Sequence, residues 1–304
     1  MMENRYVITG RNIEKTFDKF RLDIPELQIP KGFATALIGE NGAGKTTLLE
    51  ILAGIRLDYK GELTFFGSYS DRDREKDPTV KERIGYTGTT GYYLPQWTLG
   101  QIRKIQSTLF AGFDADRYDT LCEDMALYTK GILERNKKVS TLSDGSRTKL
   151  MLAGVFARKT DLLLLDEPAS PLDPLMREKL CMMIRDYLNE DEGEKSVVFS
   201  THNIADMENV TDYIIIVEHG QIVEQGFVED LKEKYIAVTG ELSAKTAAEA
   251  VMYSMESSSM GFEGIILADD AEKLAGLDVA LQTPTLSQIV VAVMKQHSEL
   301  RQEA

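Results

Sequence analysis

The stretch Gly39-Glu-Asn-Gly-Ala-Gly-Lys-Thr-Thr47 decides the fold of this 304-residue chain. It follows the apolar run Phe33-Ala-Thr-Ala-Leu-Ile38 and precedes Leu48-Leu-Glu-Ile-Leu-Ala53, an order that predicts a strand, a glycine-rich turn and the start of a helix. This context is typical of a phosphate-binding P-loop, in which backbone N–H groups and the helix N-terminus attract phosphate oxygens. A chance glycine-rich turn is the alternative, and the flanking elements weaken it.

Each residue of the P-loop stretch suits a role in nucleotide binding. Its glycines let the backbone approach phosphate closely, Lys45 brings a positive charge to the terminal phosphates, and the Thr46 hydroxyl suits Mg²⁺. We therefore expect ATP and Mg²⁺ as ligands. The expected nucleotide-binding residues of this stretch are Gly39, Glu40, Asn41, Gly42, Ala43, Gly44, Lys45, Thr46 and Thr47.

Composition narrows the class of protein. The chain is 43% hydrophobic, enough to bury a large core, and its length predicts one large domain with an appendage. A net charge of −14 disfavours binding to nucleic acid. The start lacks an apolar signal segment, and no run approaches the roughly 18 apolar residues of a membrane span, so a soluble protein is expected. Cys122 and Cys181 lack metal-site spacing and are interpreted as core residues.

Two further strands are expected to end in chemistry-bearing residues. The run Leu162-Leu-Leu-Leu-Leu-Asp-Glu-Pro168 is typical of a strand buried on both faces of a parallel sheet, and ligands bind at the carboxyl edge of such sheets. Asp166 would hold Mg²⁺ through water, and Glu167 would polarise the water that attacks the γ-phosphate. The strand Ser196-Val-Val-Phe-Ser-Thr-His202 places a histidine at the same edge, near that phosphate.

Three features each allow two interpretations. Phe17 either stacks on a purine ring or packs under the sheet. Ser143 and Asp144 either cap the helix that follows or lie in a second phosphate-facing helix end, within Leu142-Ser-Asp-Gly-Ser146. The aromatic loop from Thr87 to Thr98 either packs on a neighbouring helix or contacts a partner protein.

The rest of the chain predicts a helical insert and a C-terminal appendage. Apolar periodicity indicates helices between Thr98 and Lys138, whereas Ser70 to Pro78 is predicted to be a charged surface loop. From Phe227 onward, helices are expected at Ala244 to Met255 and Leu286 to Met294. Short strands are expected beside them, at Tyr235 to Val238, Phe262 to Leu267 and Val279 to Gln282.

Five motifs occur in a fixed order: the P-loop, Leu-Ser-Asp-Gly-Ser, Leu-Leu-Asp-Glu-Pro, Leu-Asp-Pro and Ser-Thr-His. In this order they resemble the ATP-binding subunit of an ABC transporter, over residues 3 to 230. The resemblance implies an α/β fold, a P-loop NTPase sheet of ABC ATPase type with an antiparallel β subdomain and a helical subdomain, followed by a small C-terminal α+β appendage. The expected domains are residues 1–226, with the helical subdomain at 98–158, and residues 227–304.

The same resemblance implies residue roles. These are an adenine-stacking Phe17, a Walker A loop from Gly39 to Thr47, a Walker B Asp166, a catalytic base Glu167, a D-loop Asp173 and a switch His202; Lys45 completes the expected catalytic set. Ser143 and Gly145 match signature positions that, in this family, cap the γ-phosphate of ATP bound to the opposite subunit. With one such set and no internal repeat, the chain is expected to pair with a second ATPase subunit, identical or homologous.

Three departures from the family pattern bear on turnover. The glutamine that in this family helps to bind Mg²⁺ falls at Thr89. Asp144 and Ser146 replace the usual third and fifth residues of Leu-Ser-Gly-Gly-Gln, and Pro171 stands where glycine is usual, which stiffens the D-loop. These departures predict slower or more conditional hydrolysis, whereas the retained base and histidine predict that hydrolysis persists.

The tail Thr285-Leu-Ser-Gln-Ile289 is similar to that of exporter-type ATPases whose membrane subunit is a separate polypeptide. We therefore predict the ATP-hydrolysing subunit of an ABC exporter, cytoplasmic and peripheral at the inner face of the membrane. It would contact its permease through the helical insert and the loop from Gly91 to Trp97. Two alternatives stay open: a non-transport ABC ATPase that acts on DNA or ribosomes, and a nucleotide-sensing regulator that scarcely hydrolyses ATP.

Overall fold

The computed structural model describes residues 5–88, 93–127 and 136–297. The described strands form one six-stranded sheet and two four-stranded sheets. Within these ranges, no helix combines the length and the apolar character needed to cross a membrane.

The helices and strands follow one another along three parts of the chain. The first part contains β1 (Tyr6–Thr16), β2 (Arg21–Pro30), β3 (Ala34–Ile38), α1 (Lys45–Ala53), β4 (Lys60–Phe65), β5 (Tyr69–Ser70), α2 (Asp71–Lys76), α3 (Pro78–Glu82) and β6 (Ile84–Thr87). The middle part contains α4 (Leu99–Leu109), α5 (Ala115–Asp124), α6 (Asp144–Phe156), β7 (Leu162–Leu165), α7 (Pro174–Asn189), β8 (Ser196–Thr201), β9 (Tyr213–Glu218) and β10 (Gln221–Phe227). The last part contains α8 (Val228–Lys234), β11 (Tyr235–Gly240), α9 (Leu242–Glu249), β12 (Ser254–Ser258), β13 (Gly261–Leu267), β14 (Val279–Gln282) and α10 (Leu286–His297).

The central sheet has the strand order β10-β9-β3-β8-β7-β6. Strand β3 pairs in parallel with β8 and β9, and β7 pairs in parallel with β8 and β6. The residues of β3, β7, β8 and β9 are all buried, as expected for strands covered on both faces. The register sets Ile38 level with Thr201 and Leu165 level with Phe199. The residues that follow β3, β7 and β8 therefore meet at one edge of the sheet.

The P-loop joins β3 to α1 by a turn whose backbone requires glycine, as Gly39 and Gly44 illustrate. A Cβ on Gly39 would lie 2.2 Å from the Val217 carbonyl oxygen of β9, so no side chain fits there. Gly44 has φ +111°, a left-handed conformation that other residues rarely adopt. The glycines therefore hold the start of α1 at the carboxyl edge of the sheet.

The antiparallel subdomain and the helical subdomain flank this sheet, which confirms the predicted fold class. The four-stranded sheet β2-β1-β4-β5 shares an apolar core with α1. Helices α4, α5 and α6 form the helical part, and Thr98 and Gln101 form a capping box at the start of α4.

Residues 70–78 are not a surface loop as predicted, because Asp71–Lys76 form helix α2. Ser70 and Asp73 form a capping box at its start. Arg74 is buried and donates hydrogen bonds of 2.7 Å to the carbonyl oxygens of Ile51 and Leu52 at the end of α1. The charged sequence of this segment predicts exposure, and it gives no sign that Arg74 points inward and caps the end of α1.

The predicted helix from Ala244 to Met255 is wrong in its second half. Helix α9 ends at Glu249, and Ser254 begins strand β12. Pairing of β12 with β13, in which Met255 lies opposite Gly264, overrides the local helical pattern.

The C-terminal part shares its core with the ATPase part. Its sheet has the order β12-β13-β11-β14, and α10 packs between this sheet and the segment that follows β8. Ile289 and Val293 of α10 belong to the same apolar cluster as Ile204 and Met207. The two parts therefore lie in direct contact through buried apolar side chains.

Candidate active site

The P-loop lines a cleft of about 340 Å³ at the carboxyl edge of the central sheet, within the size range of small-molecule sites. Lys45 is only 6% exposed, and its Nζ donates to the carbonyl oxygens of Gly39, at 2.7 Å, and Glu40, at 3.1 Å. The same Nζ lies 3.5 Å from Glu167 Oε1. The cleft therefore contains a buried cation beside the N-terminus of α1, an arrangement that suits phosphate binding.

Asp166 follows β7 and is buried beside the P-loop. Its Oδ2 accepts a hydrogen bond from Thr46 Oγ1 at 2.9 Å, and its Oδ1 accepts one from Ser200 Oγ at 2.6 Å. Burial raises the pKa of the Asp166 carboxyl, although the hydrogen bonds from Ser200 and Thr46 favour the ionised form. The carboxylate and the Thr46 hydroxyl thus share one small region at the base of the cleft.

The backbone of Glu167 is strained. Its φ is +47°, in the left-handed region that non-glycine residues rarely occupy. Its N–H donates to Ser200 Oγ at 2.8 Å, which helps to hold the turn in place. Strain of this kind persists where the surrounding structure fixes the backbone, and it aims the side chain into the cleft.

The Glu167 carboxylate has two hydrogen-bond partners and one ion-pair partner. Oε2 accepts from Ser170 Oγ at 2.7 Å and lies 2.9 Å from Nδ1 of His202, while Oε1 faces Lys45. An ionised carboxylate only accepts, so the His202 ring carries its hydrogen on Nδ1 in this contact. Burial raises the pKa of Glu167, but the hydrogen bonds from Ser170 and His202 and the charge of Lys45 outweigh it and hold that pKa below its usual range.

His202 follows β8 and is half-exposed, with 49% of its side chain accessible. It lies next to Glu167 because β7 and β8 are parallel neighbours whose ends coincide. The sequence predicted this placement, and the structure brings together Lys45, Asp166, Glu167 and His202.

The Leu-Ser-Asp-Gly-Ser segment forms the N-terminus of α6. Ser143 is the N-cap, and its Oγ accepts from the Ser146 N–H at 3.2 Å. Asp144 is 87% exposed and pairs with Arg147 at 3.1 Å, so its carboxylate is neutralised within its own helix. Neither Ser143 nor Gly145 is among the described residues that line the P-loop cleft.

The turn that contains Pro171 contacts the N-terminus of α6 within the same chain. A Cβ on Gly145 would lie 2.8 Å from the Pro171 carbonyl oxygen, so the two segments touch at a point where only glycine fits. Asp173 is the N-cap of α7 and accepts from the Met176 N–H at 3.0 Å. Its carboxylate lies 4.0 Å from Nζ of Lys149, a residue of α6.

Phe17 lies one ring away from the cleft. Its centroid is 6.1 Å from that of Phe20, and Phe20 itself lines the cleft. Lys15 and Arg56 each place a cation 5.2 Å from the Phe17 ring. Phe17 is therefore a partly exposed ring at the entrance, next to a second ring that contacts the P-loop.

Two sequence expectations fall partly or wholly outside the described residues. Thr89, the position that replaces the family's glutamine, lies outside them, as do Gly91 and Tyr92 of the aromatic loop. In the described part of that loop, Tyr93 OH accepts from Gln106 Nε2 of α4 at 2.9 Å, whereas Leu94 is exposed. The loop thus both packs on the helical subdomain and presents an apolar side chain.

Sequence reasoning missed three residues that organise the site. Ser200 bridges Asp166 and the backbone of Glu167, and Ser170 holds the Glu167 carboxylate. Arg177 donates from Nε to the D-loop carbonyl of Leu172 at 2.9 Å. Ser200 was detectable as a polar residue within the apolar run of β8; Ser170 and Arg177 carried no comparable signal.

The oxygen donors at the base of the cleft fit Mg²⁺. Thr46 and Asp166 supply one hydroxyl and one carboxylate within hydrogen-bond distance of each other, the ligand types that this ion prefers. Glu167 Oε1 is buried there with no hydrogen-bond donor among the described residues, which is consistent with a site built for further polar contacts.

A family model described as ABC transporter matches residues 22–170 of the chain. The chain is 29% identical over 233 residues to the ABC transporter ATP-binding protein YtrB of Bacillus subtilis, covering 76% of each protein. It is 31% identical over 220 residues to the tungstate uptake system ATP-binding protein TupC of Peptoclostridium acidaminophilum, covering 71% of this chain and 97% of that protein. It is 28% identical over 231 residues to the Nod factor export ATP-binding protein I of Burkholderia lata, covering 75% and 73%.

The fold is also similar to that of solved structures. One is an ATP-binding cassette solved as a dimer in a post-hydrolysis state with ADP and Pi. It superposes with a TM-score of 0.60 at 21% identity, over 73% of this chain and 98% of the other. At this identity the likeness shows the fold.

Proposed function

The chain belongs to the ABC transporter ATP-binding family and is an ATPase, and from this premise we propose that it is the ATP-hydrolysing subunit of an ABC exporter. It drives a separate permease from the cytoplasmic face of the membrane. The observation that carries the proposal is the contact of Glu167 with both Lys45 and His202 beside the P-loop cleft. This arrangement supports the proposal because a base, a cation and a polarisable ring lie together beside a cleft that suits phosphate.

The direction of transport is the finer part of the proposal. Relatives are named for both uptake and export, so the family alone leaves the direction open. The segment from Thr285 to Ile289, at the start of α10, supports export because it resembles the tail of exporter-type ATPases. The exposed Leu94 of the aromatic loop and the exposed Leu109 of α4 are the proposed contact surface for the permease.

In the proposed reaction, Glu167 accepts a proton from the water that attacks the γ-phosphate. Its lowered pKa keeps it ionised at neutral pH, and Ser170 and His202 hold it in one orientation. Lys45 offsets the negative charge of the terminal phosphates. A Mg²⁺ ion held by Thr46 and Asp166 would neutralise charge that develops on the phosphates.

Phe17 is the proposed adenine platform. The ring is partly exposed, and it lies beside Phe20, which lines the P-loop cleft. Lys15 and Arg56 each place a cation 5.2 Å from the centre of this ring. Stacking on a base is the use that such a ring best supports.

Two subunits are proposed to complete each ATP site. Ser143 and Gly145 lie at the N-terminus of α6, where backbone N–H groups attract anions, yet they do not line the cleft of their own chain. We propose that, together with Asp173, they face the γ-phosphate of ATP held by a second copy of the chain or a homologous subunit.

Isolation of the affinity-tagged chain from membranes tests the exporter proposal. We expect an integral membrane protein without its own P-loop to co-purify, and the ATP turnover of the complex to differ from that of the chain alone. The control is the Lys60→Ala chain, in which the altered lysine is exposed and is remote in sequence from Ser143 and Gly145. Co-purification with ribosomes or DNA and with no membrane protein would replace the exporter proposal with the non-transport alternative.

Ser170→Ala tests the ionisation of Glu167. Since Ser170 donates to the ionised carboxylate, its removal raises the Glu167 pKa. Turnover requires the ionised base and is lost as pH falls through this pKa, so the acid limb of the kcat profile moves to higher pH. Measurement of kcat against pH checks this, with Ser107→Ala, an exposed serine of α4, as the matched control. An acid limb at the same pH in both variants would show that Ser170 does not tune the base.

A further inference from the structure

The segment that follows His202 lies under the C-terminal helix. It makes two 3₁₀ turns, Ile204–Asp206 and Glu208–Val210, and their buried side chains share one apolar cluster with α10. The α10 residues in this cluster are Leu286, Ile289, Val290, Ala292 and Val293. The switch segment, residues 203–210, therefore rests on a helix that comes from the far end of the chain.

Glu208 joins the switch segment to α10 by hydrogen bonds. Its Oε1 accepts from the backbone N–H of Leu286 at 3.1 Å, and its Oε2 accepts from Ser287 Oγ at 3.3 Å. The first N–H groups of a helix have no partner within the helix, and a carboxylate at this end is also favoured by the helix dipole. One side chain of the switch segment thus caps α10.

Helix α7 holds the same segment from the other side. Arg185 donates to the Asn209 carbonyl at 2.9 Å, and Arg177 Nη1 donates to Asp206 Oδ1 at 2.6 Å. Arg177 also donates from Nε to the Ala169 carbonyl at 3.2 Å, two residues after Glu167. The switch segment is therefore held between α7 and α10, and α7 connects it to the loop that carries Glu167.

We propose that α10 sets the position of His202 relative to Glu167, with Glu208 as the positioning residue that transmits it. The inference rests on the proposed role of Glu167 and His202 in hydrolysis. His202 Nδ1 lies 2.9 Å from Glu167 Oε2. The switch segment that follows His202 is supported on the side away from α7 by packing against α10 and by the hydrogen bonds of Glu208 to α10. The C-terminal part thereby gains a defined task, which is to keep the hydrolytic pair aligned.

Glu208→Ala in the full chain is the first test. We expect kcat for ATP to fall on the order of tenfold or more, because loss of the Glu208 hydrogen bonds lets the histidine drift from the base. The Kd for ATP should stay within about twofold, since the P-loop is untouched. Glu208→Gln keeps an acceptor for the Leu286 N–H and should restore most of the rate. The control is Glu229→Ala, an exposed glutamate of α8, with the parental rate expected.

A double-variant cycle separates positioning from general destabilisation. In a His202→Ala background, measured by single-turnover hydrolysis, Glu208→Ala should cause no further loss, because its effect passes through the histidine. An equal loss in both backgrounds, a parental kcat for Glu208→Ala, or a parallel weakening of ATP binding would each overturn the inference. Failure of the unsubstituted chain to hydrolyse ATP would instead count against the proposed function, so the two failures are distinguishable.

Discussion

Glu167→Gln is expected to lower kcat for ATP hydrolysis by about 10²- to 10⁴-fold, the usual contribution of a general base. Glutamine keeps the size of the side chain and an oxygen that accepts from Ser170, but it does not take a proton from water. ATP affinity should not fall, because the substitution removes a negative charge from beside the phosphate cleft. Bound ATP would then persist, and with it the proposed two-subunit assembly.

Single-turnover hydrolysis and size-exclusion chromatography with and without ATP measure these two effects. The variant should elute as a dimer with ATP and as a monomer without it. Glu229→Gln is the matched control, since it makes the same chemical change on the exposed side of α8. Wild-type turnover in the Glu167→Gln chain would remove this residue from the role of base.

Lys45→Ala is expected to weaken ATP binding by about 100-fold or more, because a buried ammonium makes charge-assisted hydrogen bonds worth roughly 1.5–3 kcal/mol each. Among the described residues that line the cleft, Lys45 alone is cationic. Its loss also leaves the carbonyls of Gly39 and Glu40 without their side-chain donor and Glu167 without its counter-ion. Titration calorimetry with ATP checks the affinity, and Lys60→Ala, which changes an exposed lysine, provides the comparison.

Lys45→Ala, mixed with a second variant, Ser143→Glu, tests whether two chains build one site. Ser143→Glu places a carboxylate at the proposed γ-phosphate contact, and a carboxylate is tolerated at a helix N-terminus. Each variant alone should be nearly inactive. A mixture should regain activity, because a mixed dimer combines the intact P-loop of one chain with the intact Ser143 of the other. Mixtures as inactive as either component would argue against a composite site between identical copies.

Sequence reasoning reached the central sheet and the residues at its edge for a definite reason. The runs Ala34–Ile38 and Leu162–Leu165 are apolar almost throughout, and Ser196–Thr201 has an apolar centre, a pattern that parallel strands covered on both faces produce. Once these strands are neighbours, their carboxyl ends must coincide, so Asp166, Glu167 and His202 follow without further information.

The failures arose where distant residues decide local structure. In sequence, Arg74 resembles part of a solvated charged segment. In the structure it lies in α2, and its guanidinium donates hydrogen bonds to backbone carbonyl oxygens at the end of α1. Ser254 to Ser258 form a strand because β13 offers a pairing edge, which no local pattern records. The hydrogen bonds from Ser170 and Ser200 likewise depend on a turn geometry at Glu167 that only the folded chain displays.

The left-handed backbone at Glu167 makes catalytic activity and folding stability favour different amino acids at this one residue. Asparagine or glycine would adopt φ +47° at lower conformational cost than glutamate, so either would relax the turn while removing the proposed base. A laboratory selection that rewarded only heat resistance would accordingly drift toward an inert protein at this codon.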